Sequence, residues 1–401
     1  MKILFLTSTL PRYLNDAQAP FVFEHALAWK KARPQYEILL LAPHDVRAAH
    51  EEILEGIYIY RFIYWWPLRF QKLAYPAILP NIRKNPLLLY QLPFFLISEL
   101  YFTLKLIRQK KIDLIFAHWV MPQGLIAYLA NKFTRTPYAI RNHSSDVRIF
   151  QKIPFLGKWI VKKIIRNSKF MFCENTMLRE EALNLFGEQR QSMEPKIRTM
   201  PMGVFSKLEG VLTSENQIYD FGFIGRLSKK KGVEFLIKAI KKIQGDISFR
   251  TLIAGDGEER EHLENLSKGS NIEFIGFVSN EAKISFFNKT KIIVFPSINA
   301  EGDIEGLPVA LQEALYAGKL IITSKATNIE LLPEWKDLRE YVFLLHNPED
   351  IEELMALLKK ALQMERKFYQ YNSARVRQIF HHYRWDTLIH DYIKLLVPAG
   401  S

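Results

Sequence analysis

The chain has 401 residues, 48% of them hydrophobic, enough for two or three domains that each bury a core. One cysteine, Cys173, excludes an intramolecular disulfide and any cysteine-cluster metal site. The net charge of +13 lies wholly in the first half, where residues 1–200 hold 29 Lys and Arg against 15 Asp and Glu, while residues 201–401 hold 26 against 27. That asymmetry points to an acidic partner for the first half: anionic lipid, lipid-linked phosphate or nucleic acid.

In chain order, the apolar start Met1–Thr7 is too short for a signal peptide and reads as a first buried strand, Lys2–Thr7. The loop behind it, Ser8–Pro20, carries Arg12 and Gln18; no glycine occurs between Met1 and Gly56. Further strands are expected at Glu37–Ala42, Ile57–Phe62, Asp113–Ala117, Tyr138–Asn142 and Phe170–Cys173, with helices at Phe21–Lys31, Leu92–Ile107 and Met177–Leu185. Continuous apolar runs bounded by Gly or Pro suit strands buried on both faces of a parallel sheet. Cys173 then reads as an inert core thiol, in keeping with a reducing compartment.

Between Ile57 and Lys111 thirteen aromatics, Trp65, Trp66, Phe94 and Phe95 among them, are interleaved with Arg61, Arg69, Lys72, Arg83 and Lys84. This mixture suits a lipid headgroup interface, single-stranded nucleic acid, or the packing of a large loop region. In Phe155–Arg166, Lys158, Lys162 and Arg166 share one helical face, the pattern either of a membrane-surface helix or of a surface helix packed on its sheet. No uninterrupted apolar run reaches about 18 residues, so no membrane-spanning helix is expected. His118 and His143 fall at predicted strand ends, where such sheets gather their ligands.

Pro201–Gln217 is rich in turn-formers and reads as a linker. Beyond it come strands at Asp220–Ile224, Arg250–Ala254, Ile272–Ile275, Ile292–Phe295, Leu320–Thr323 and Tyr341–Leu344, and a helix at Ile351–Leu362. Strand-helix alternation on both sides of the linker predicts two successive doubly wound domains. Near the end, Asp386 is placed to cap a last helix, Thr387–Leu396.

Two motifs in the second half carry chemistry. Phe221–Gly232 is a strand closed by Gly225, then a basic turn with Arg226 and Lys231, then a helical pattern. Arginine offers a planar fork for phosphate oxygens and lysine a point charge. Downstream, Glu305 and Glu313 lie eight positions apart, and Gly306, Leu307, Pro308 and Val309 follow the first of them. A helix opening at Pro308 would turn free N–H groups and its dipole toward an anion, with two carboxylates at hand for hydroxyls. Phosphate beside a polyol describes a nucleotide-sugar.

With Gly255 in Leu252–Arg260, the strand end Phe274–Val278 and Val294–Ser297 in the same order, these pieces resemble the retaining nucleotide-sugar glycosyltransferases of family four (group 1). The resemblance implies an α/β GT-B fold of two Rossmann-like doubly wound parallel-sheet domains facing across a cleft. Its expected divisions are 1–200, a linker 201–217, a nucleotide-sugar domain 218–378, and a tail 379–401 crossing back to the first domain. It implies retaining, metal-independent transfer from a UDP- or GDP-linked sugar. Arg226, Lys231 and the amides after Gly306 would hold the leaving phosphate, with Gly225 and Gly255 beside it. Phe277 and Val278 would meet the base, Glu313 the ribose and Glu305 the sugar hydroxyls, with Leu307, Pro308 and Val309 completing the donor site. His143 matches the family's sugar-side histidine and Asp146 its partner, although Ser144 stands where a glycine is usual. His118 matches a His-Trp element of a membrane-associated subset and is expected on the acceptor side with Arg12, Gln18 and Asp146. The acceptor would be a saccharide or lipid-linked, and the enzyme would sit at the cytoplasmic face of an anionic membrane. No cofactor or metal site and no nucleic-acid partner are expected. A GT-B epimerase or phosphorylase and a non-catalytic membrane-binding subunit are the rival readings; the intact Arg226, Lys231, Glu305 and Glu313 set argues against the last.

Overall fold

The computed structural model describes residues 1–13, 16, 20–143, 147, 156–204, 208, 217–243, 249–299 and 305–397. The chain divides into two compact units, Met1–Met202 with Asp386–Ser401, and Gly203–Trp385.

The first unit is built on an eight-stranded sheet. Its strands are β1 (Lys2–Leu6), β2 (Glu37–Pro43), β3 (Glu51–Leu54), β4 (Ile57–Phe62), β5 (Leu114–His118), β6 (Tyr138–Asn142), β7 (Met171–Cys173) and β8 (Ile197–Thr199), in the order β3-β4-β2-β1-β5-β6-β7-β8. Every pairing is parallel except β3 with β4. Ile3, Leu4, Phe5 and Leu6 are all fully buried, as expected of a strand covered on both faces, and each contributes about 1.5–3 kcal/mol through burial. Cys173 is buried within β7. The strand β3 is absent from the sequence reading because its pattern is mostly exposed and it pairs only at the sheet edge. Its signal is the two-residue turn Glu55-Gly56, with φ of 52° and 75°, which folds β3 back on β4.

The helix Leu92–Lys110 presents Phe95, Glu99, Thr103, Leu106 and Ile107 to the interior, while Phe94, Ile97 and Tyr101 stand in solvent. Among the described residues the stretch Pro86–Lys110 is long and apolar enough to cross a membrane, which the sequence reading did not anticipate. Its buried stripe is nevertheless engaged by the globular unit. Burial raises the Glu99 carboxyl to about 8, against a smaller opposing effect of Gln123, whose Nε2 donates to it at 3.3 Å. Glu99 is therefore protonated in the fold at neutral pH. The unfolded chain gives up that proton near the ordinary carboxyl value, so stability falls as pH rises from there to about 8, by about 1.4 kcal/mol for each unit of the shift. Glu99→Gln keeps the bond without the titration. Its Tm should pull ahead of wild type between pH about 5 and about 8 and then hold a constant lead; parallel melting curves across that range would refute the assignment.

The first unit also contains the end of the chain. In the helix Trp385–Leu396, Tyr392 packs 4.7 Å from the Phe172 ring and 4.8 Å from His25, and its hydroxyl accepts from buried Arg141. The helix opens at Trp385, one residue before the expected cap at Asp386. The Trp385 N–H is already taken by Val204 O at 2.9 Å, and Val204 N donates to Tyr383 O at 2.9 Å. In the Leu156–Asn167 helix, Val161, Ile164 and Ile165 are buried while Trp159 is exposed.

The second unit carries a six-stranded, wholly parallel sheet: β9 (Tyr219–Ile224), β10 (Thr251–Ala254), β11 (Ile272–Gly276), β12 (Thr290–Phe295), β13 (Leu320–Ser324) and β14 (Val342–Leu345). The order is β11-β10-β9-β12-β13-β14. Connection direction reverses between β9 and β12, so the loops leaving these two strands diverge and open a crevice at their C-terminal ends. The basic turn follows β9 and the acidic motif follows β12. The helix Ile351–Tyr371, capped by Asp350, runs nine residues beyond the expected Leu362.

Candidate active site

In the second unit the crevice floor is backbone. At three neighbouring strand ends, Gly225 N donates to Ala254 O at 3.0 Å and Gly255 N to Gly276 O at 2.7 Å. Gly255 has φ +152°, and a Cβ there would lie 1.8 Å from Gly225 O. Gly232, with φ +65°, closes the basic turn; its Cβ would lie 1.9 Å from Pro296 O. No side chain fits at either position, so the turn after β9 lies directly on the end of β12.

That contact brings Lys231 to Glu305. Lys231 Nζ donates to Glu305 Oε1 at 2.9 Å, with both side chains largely buried. Burial alone would raise the Glu305 carboxyl; the charges of Lys231 and Lys230 and the Lys231 bond outweigh it and hold Glu305 ionised, below its ordinary value. Glu305 Oε2 is buried and has no hydrogen-bond partner among the described residues. Asn328 Nδ2 fixes the Glu305 backbone by donating to its carbonyl. The other two carboxylates of the acidic loop, Glu301 and Asp303, lie outside the described residues.

The helix beyond opens at Val309, with Pro308 as its cap, one residue later than expected. Leu311 and Gln312 make the first bonds, both to Pro308 O, so the amides of Val309 and Ala310 precede the helical ladder. Glu313 is buried and accepts from Lys283 Nζ at 2.7 Å. Lys283 and Asn328 were missed in the sequence, since nothing in their local spacing ties them to the glutamates, while Lys230, next to Lys231, reads in the sequence as part of a solvated turn. Arg226 stands apart: its guanidinium bonds Glu258 at 3.0 and 3.2 Å and is half exposed. Leu307 and Val278 are buried and Phe277 half-buried at the end of β11.

In the first unit the direction reverses between β1 and β5, and a row of rings fills the interior behind that point. Trp29 Nε1 lies 3.3 Å from His25 Nε2, and His25 Nδ1 lies 3.3 Å from His118 Nε2. His118 Nδ1 is 2.8 Å from His143 Nε2, and His143 Nδ1 is 2.9 Å from Glu174 Oε1. An indole nitrogen only donates, so each neutral imidazole is assigned its proton on Nδ1 and passes the donor role forward to the carboxylate. Burial is the largest cause pushing all three histidines well below their usual range, and Arg141 adds to it. They are neutral rings at pH 7. His118 is fully buried, so it reaches an acceptor only through His143. His25 and Glu174 were missed: one is hidden among the apolar positions of the helix Pro20–Ala32, the other sits just past a three-residue strand. Arg12 is described and bonds Asp16; Gln18 and Asp146 lie outside the described residues.

The family described as "Glycosyl transferases group 1" matches residues 207–376. An uncharacterized glycosyltransferase of Methanocaldococcus jannaschii, MJ1178, is 25% identical over 308 residues, covering 72% of this chain and 83% of the relative. A Campylobacter jejuni alpha-1,4-N-acetyl-D-galactosaminyltransferase, named for a diNAcBac-PP-undecaprenol acceptor, is 26% identical over 230 residues, 56% of this chain and 58% of the relative. Among solved structures, Anabaena HepE in complex with UDP and glucose superimposes with a TM-score of 0.61 at 16% identity, covering 98% of this chain and 99% of that one, a likeness of fold. With two parallel-sheet units in the GT-B fold and the basic and acidic motifs at the switch point of the second, residues 207–376 match the group 1 glycosyltransferases, and the chain is similar over most of its length to glycosyltransferases.

Proposed function

We propose that this glycosyltransferase moves a sugar from a UDP- or GDP-linked donor, with retention of configuration and without a metal, to a lipid-linked acceptor at the cytoplasmic membrane face. The Lys231–Glu305 pair beside the open amides of Val309 and Ala310 carries the reading. Charge grows on the diphosphate as the glycosidic bond breaks. The two amides at the helix start and the Lys231 ammonium, once turned from Glu305, would stabilise that charge. When the donor arrives, Lys231 turns to phosphate and Glu305 is released to sugar hydroxyls through its unpartnered Oε2. Glu313 receives the ribose diol, Arg226 leaves Glu258 for phosphate, and Phe277 and Val278 meet the base beside the Gly225 and Gly255 floor. His143, held in one tautomer by Glu174 and His118, orients the sugar. Cationic side chains take the place a divalent ion would have. HepE bound to UDP and glucose supports a uridine donor, and the undecaprenyl diphosphate in the Campylobacter relative's name supports a lipid-linked acceptor. For the membrane, exposed Trp66, Phe70, Tyr90, Phe94 and Tyr101 adjoin Arg69, Lys72, Arg83 and Lys84, a composition that enters an anionic headgroup layer.

Calorimetry with UDP, GDP and ADP, with and without magnesium, tests the donor reading. One nucleotide should bind with micromolar affinity, unchanged by magnesium. Magnesium-dependent binding would overturn the metal-free mechanism, and no binding of any nucleotide would overturn the donor assignment.

A further inference from the structure

Between the segment after β2 and the loop before the helix Ile78–Lys84, the first unit has an open pocket of about 300 Å³. Its lining includes Arg12, Arg47, Arg69 and Lys72, with Asp45 and Tyr75. Arg12 is built in. Its Nε and Nη2 bond Asp16 at 2.6 and 3.0 Å, Nη1 lies 3.7 Å from Asp45, and its guanidinium sits 5.0 Å from the Tyr75 ring centroid. The loop beneath it is tied down by buried Arg61, whose Nη2 donates to Pro11 O at 2.8 Å. Arg47 reaches Asp45 at 3.4 Å and the Tyr13 ring at 5.5 Å. Arg69 and Lys72 are exposed and meet no carboxylate among the described residues. Four cations less the carboxylates of Asp16 and Asp45 leave a charge of +2 around the cavity. A glycosyl acceptor without charge needs no such site; an anion of charge about −2 does.

The next observation says which anion. Arg69 and Lys72 belong to Trp66-Pro-Leu-Arg-Phe-Gln-Lys72, where basic and apolar side chains alternate. Leu68 lines the cavity, while Trp66 is 76% and Phe70 47% exposed beside it. One short segment therefore offers cations to the cavity and bare apolar surface next to it. A ligand that satisfies both has a phosphate group joined directly to a hydrocarbon chain.

We infer that this cavity binds the phosphate or diphosphate of a lipid-linked acceptor, with the first carbons of the lipid lying over Leu68, Phe70 and Trp66. The inference rests on the lipid-linked acceptor proposed above. Arg12 and Arg47, already oriented by carboxylates, supply directed donors. Arg69 and Lys72 close over the anion from the rim. The phosphate thereby fixes how far from the bilayer the acceptor sugar is presented.

The test uses the full chain and geranyl diphosphate as probe, followed by calorimetry, with inorganic diphosphate and geraniol as controls. Geranyl diphosphate should bind more tightly than either control. Arg69→Gln/Lys72→Gln should weaken it tenfold or more, two lost charge-assisted contacts, whereas Lys231→Ala, in the other unit, should leave it unchanged. Nucleotide binding measured on the same double variant should match wild type, so failure of the cavity is separable from failure of the donor reading. Equal binding of geranyl and inorganic diphosphate would overturn the lipid assignment. So would undiminished geranyl diphosphate binding by the double variant, including the case in which its sedimentation with phosphatidylglycerol-containing phosphatidylcholine vesicles falls. Those two side chains would then serve bilayer headgroups alone. Loss of probe binding in Lys231→Ala would place the probe in the donor site and overturn the proposal as well.

Discussion

Lys231→Ala should lower turnover by about 10²–10³-fold, the range seen when one preorganised donor to a developing anion is removed. It should also weaken nucleotide binding. The difficulty in reading such a variant is that Lys231 has a second role. It is the partner of buried Glu305, and breaking a buried pair from one side costs about 3–5 kcal/mol because the remaining charge is stranded. Part of the loss will be a lower Tm and a Glu305 carboxyl that takes up a proton. The double variant Lys231→Ala/Glu305→Gln separates the two effects. It removes the stranded charge, so most of the lost Tm should return, while turnover stays at or below the Lys231→Ala level. A double variant that regained turnover would show the pair to be structural only. Glu305→Gln alone should fold and bind nucleotide yet transfer poorly; unchanged turnover would sink the role given to the carboxylate.

Gly255→Ala is expected to have the other large effect, by a steric route. The added methyl would stand 1.8 Å from Gly225 O, and the residue would be held at φ +152°, where side chains are strained. Neither residue can move freely, because Gly225 N is bonded to Ala254 O and Gly255 N to Gly276 O at the ends of β9, β10 and β11. The strand ends must part. The cost should be about 3 kcal/mol in stability, with nucleotide affinity down tenfold or more because the floor of the crevice is displaced. Gly269→Ala is the control. Its φ is +80°, but nothing lies within 4 Å of the new Cβ, so it carries backbone strain of about 1–2 kcal/mol without a collision. Its nucleotide affinity should equal that of wild type. If calorimetry found the two variants alike, collision at the strand ends would not be what matters.

How much of this was legible in the sequence follows from the range of each interaction. Parallel strands covered on both faces write themselves as apolar runs, and β1, β2, β9 and β12 were found within a residue or two. The Glu305 and Lys231 motifs were visible because each is local: a turn and a helix start. Hidden were pairings made by sheet order. Glu174 meets His143 because β7 lies beside β6, and His118 meets His143 because β6 lies beside β5. The residues concerned are 25 and 31 positions apart. Lys283 reaches Glu313 in the same way, from one helix to another. The cavity at Arg12 is a further case: the aromatic-basic mixture was seen, but not that the turn after β2 folds Asp45 and Arg47 against it.

The row from Trp29 to Glu174 has a consequence for proton traffic. A wire that conducts must let each link reverse after a proton passes, as water chains do. Here one terminus is an indole, which can give but never accept, and so the links cannot turn over. The row is a cul-de-sac. His143 donates from Nδ1 to Glu174 and accepts at Nε2 from His118, so neither ring nitrogen is left to take up a proton from outside. What the row secures is one tautomer and one orientation of His143, with no leak of protons through the core of the first unit.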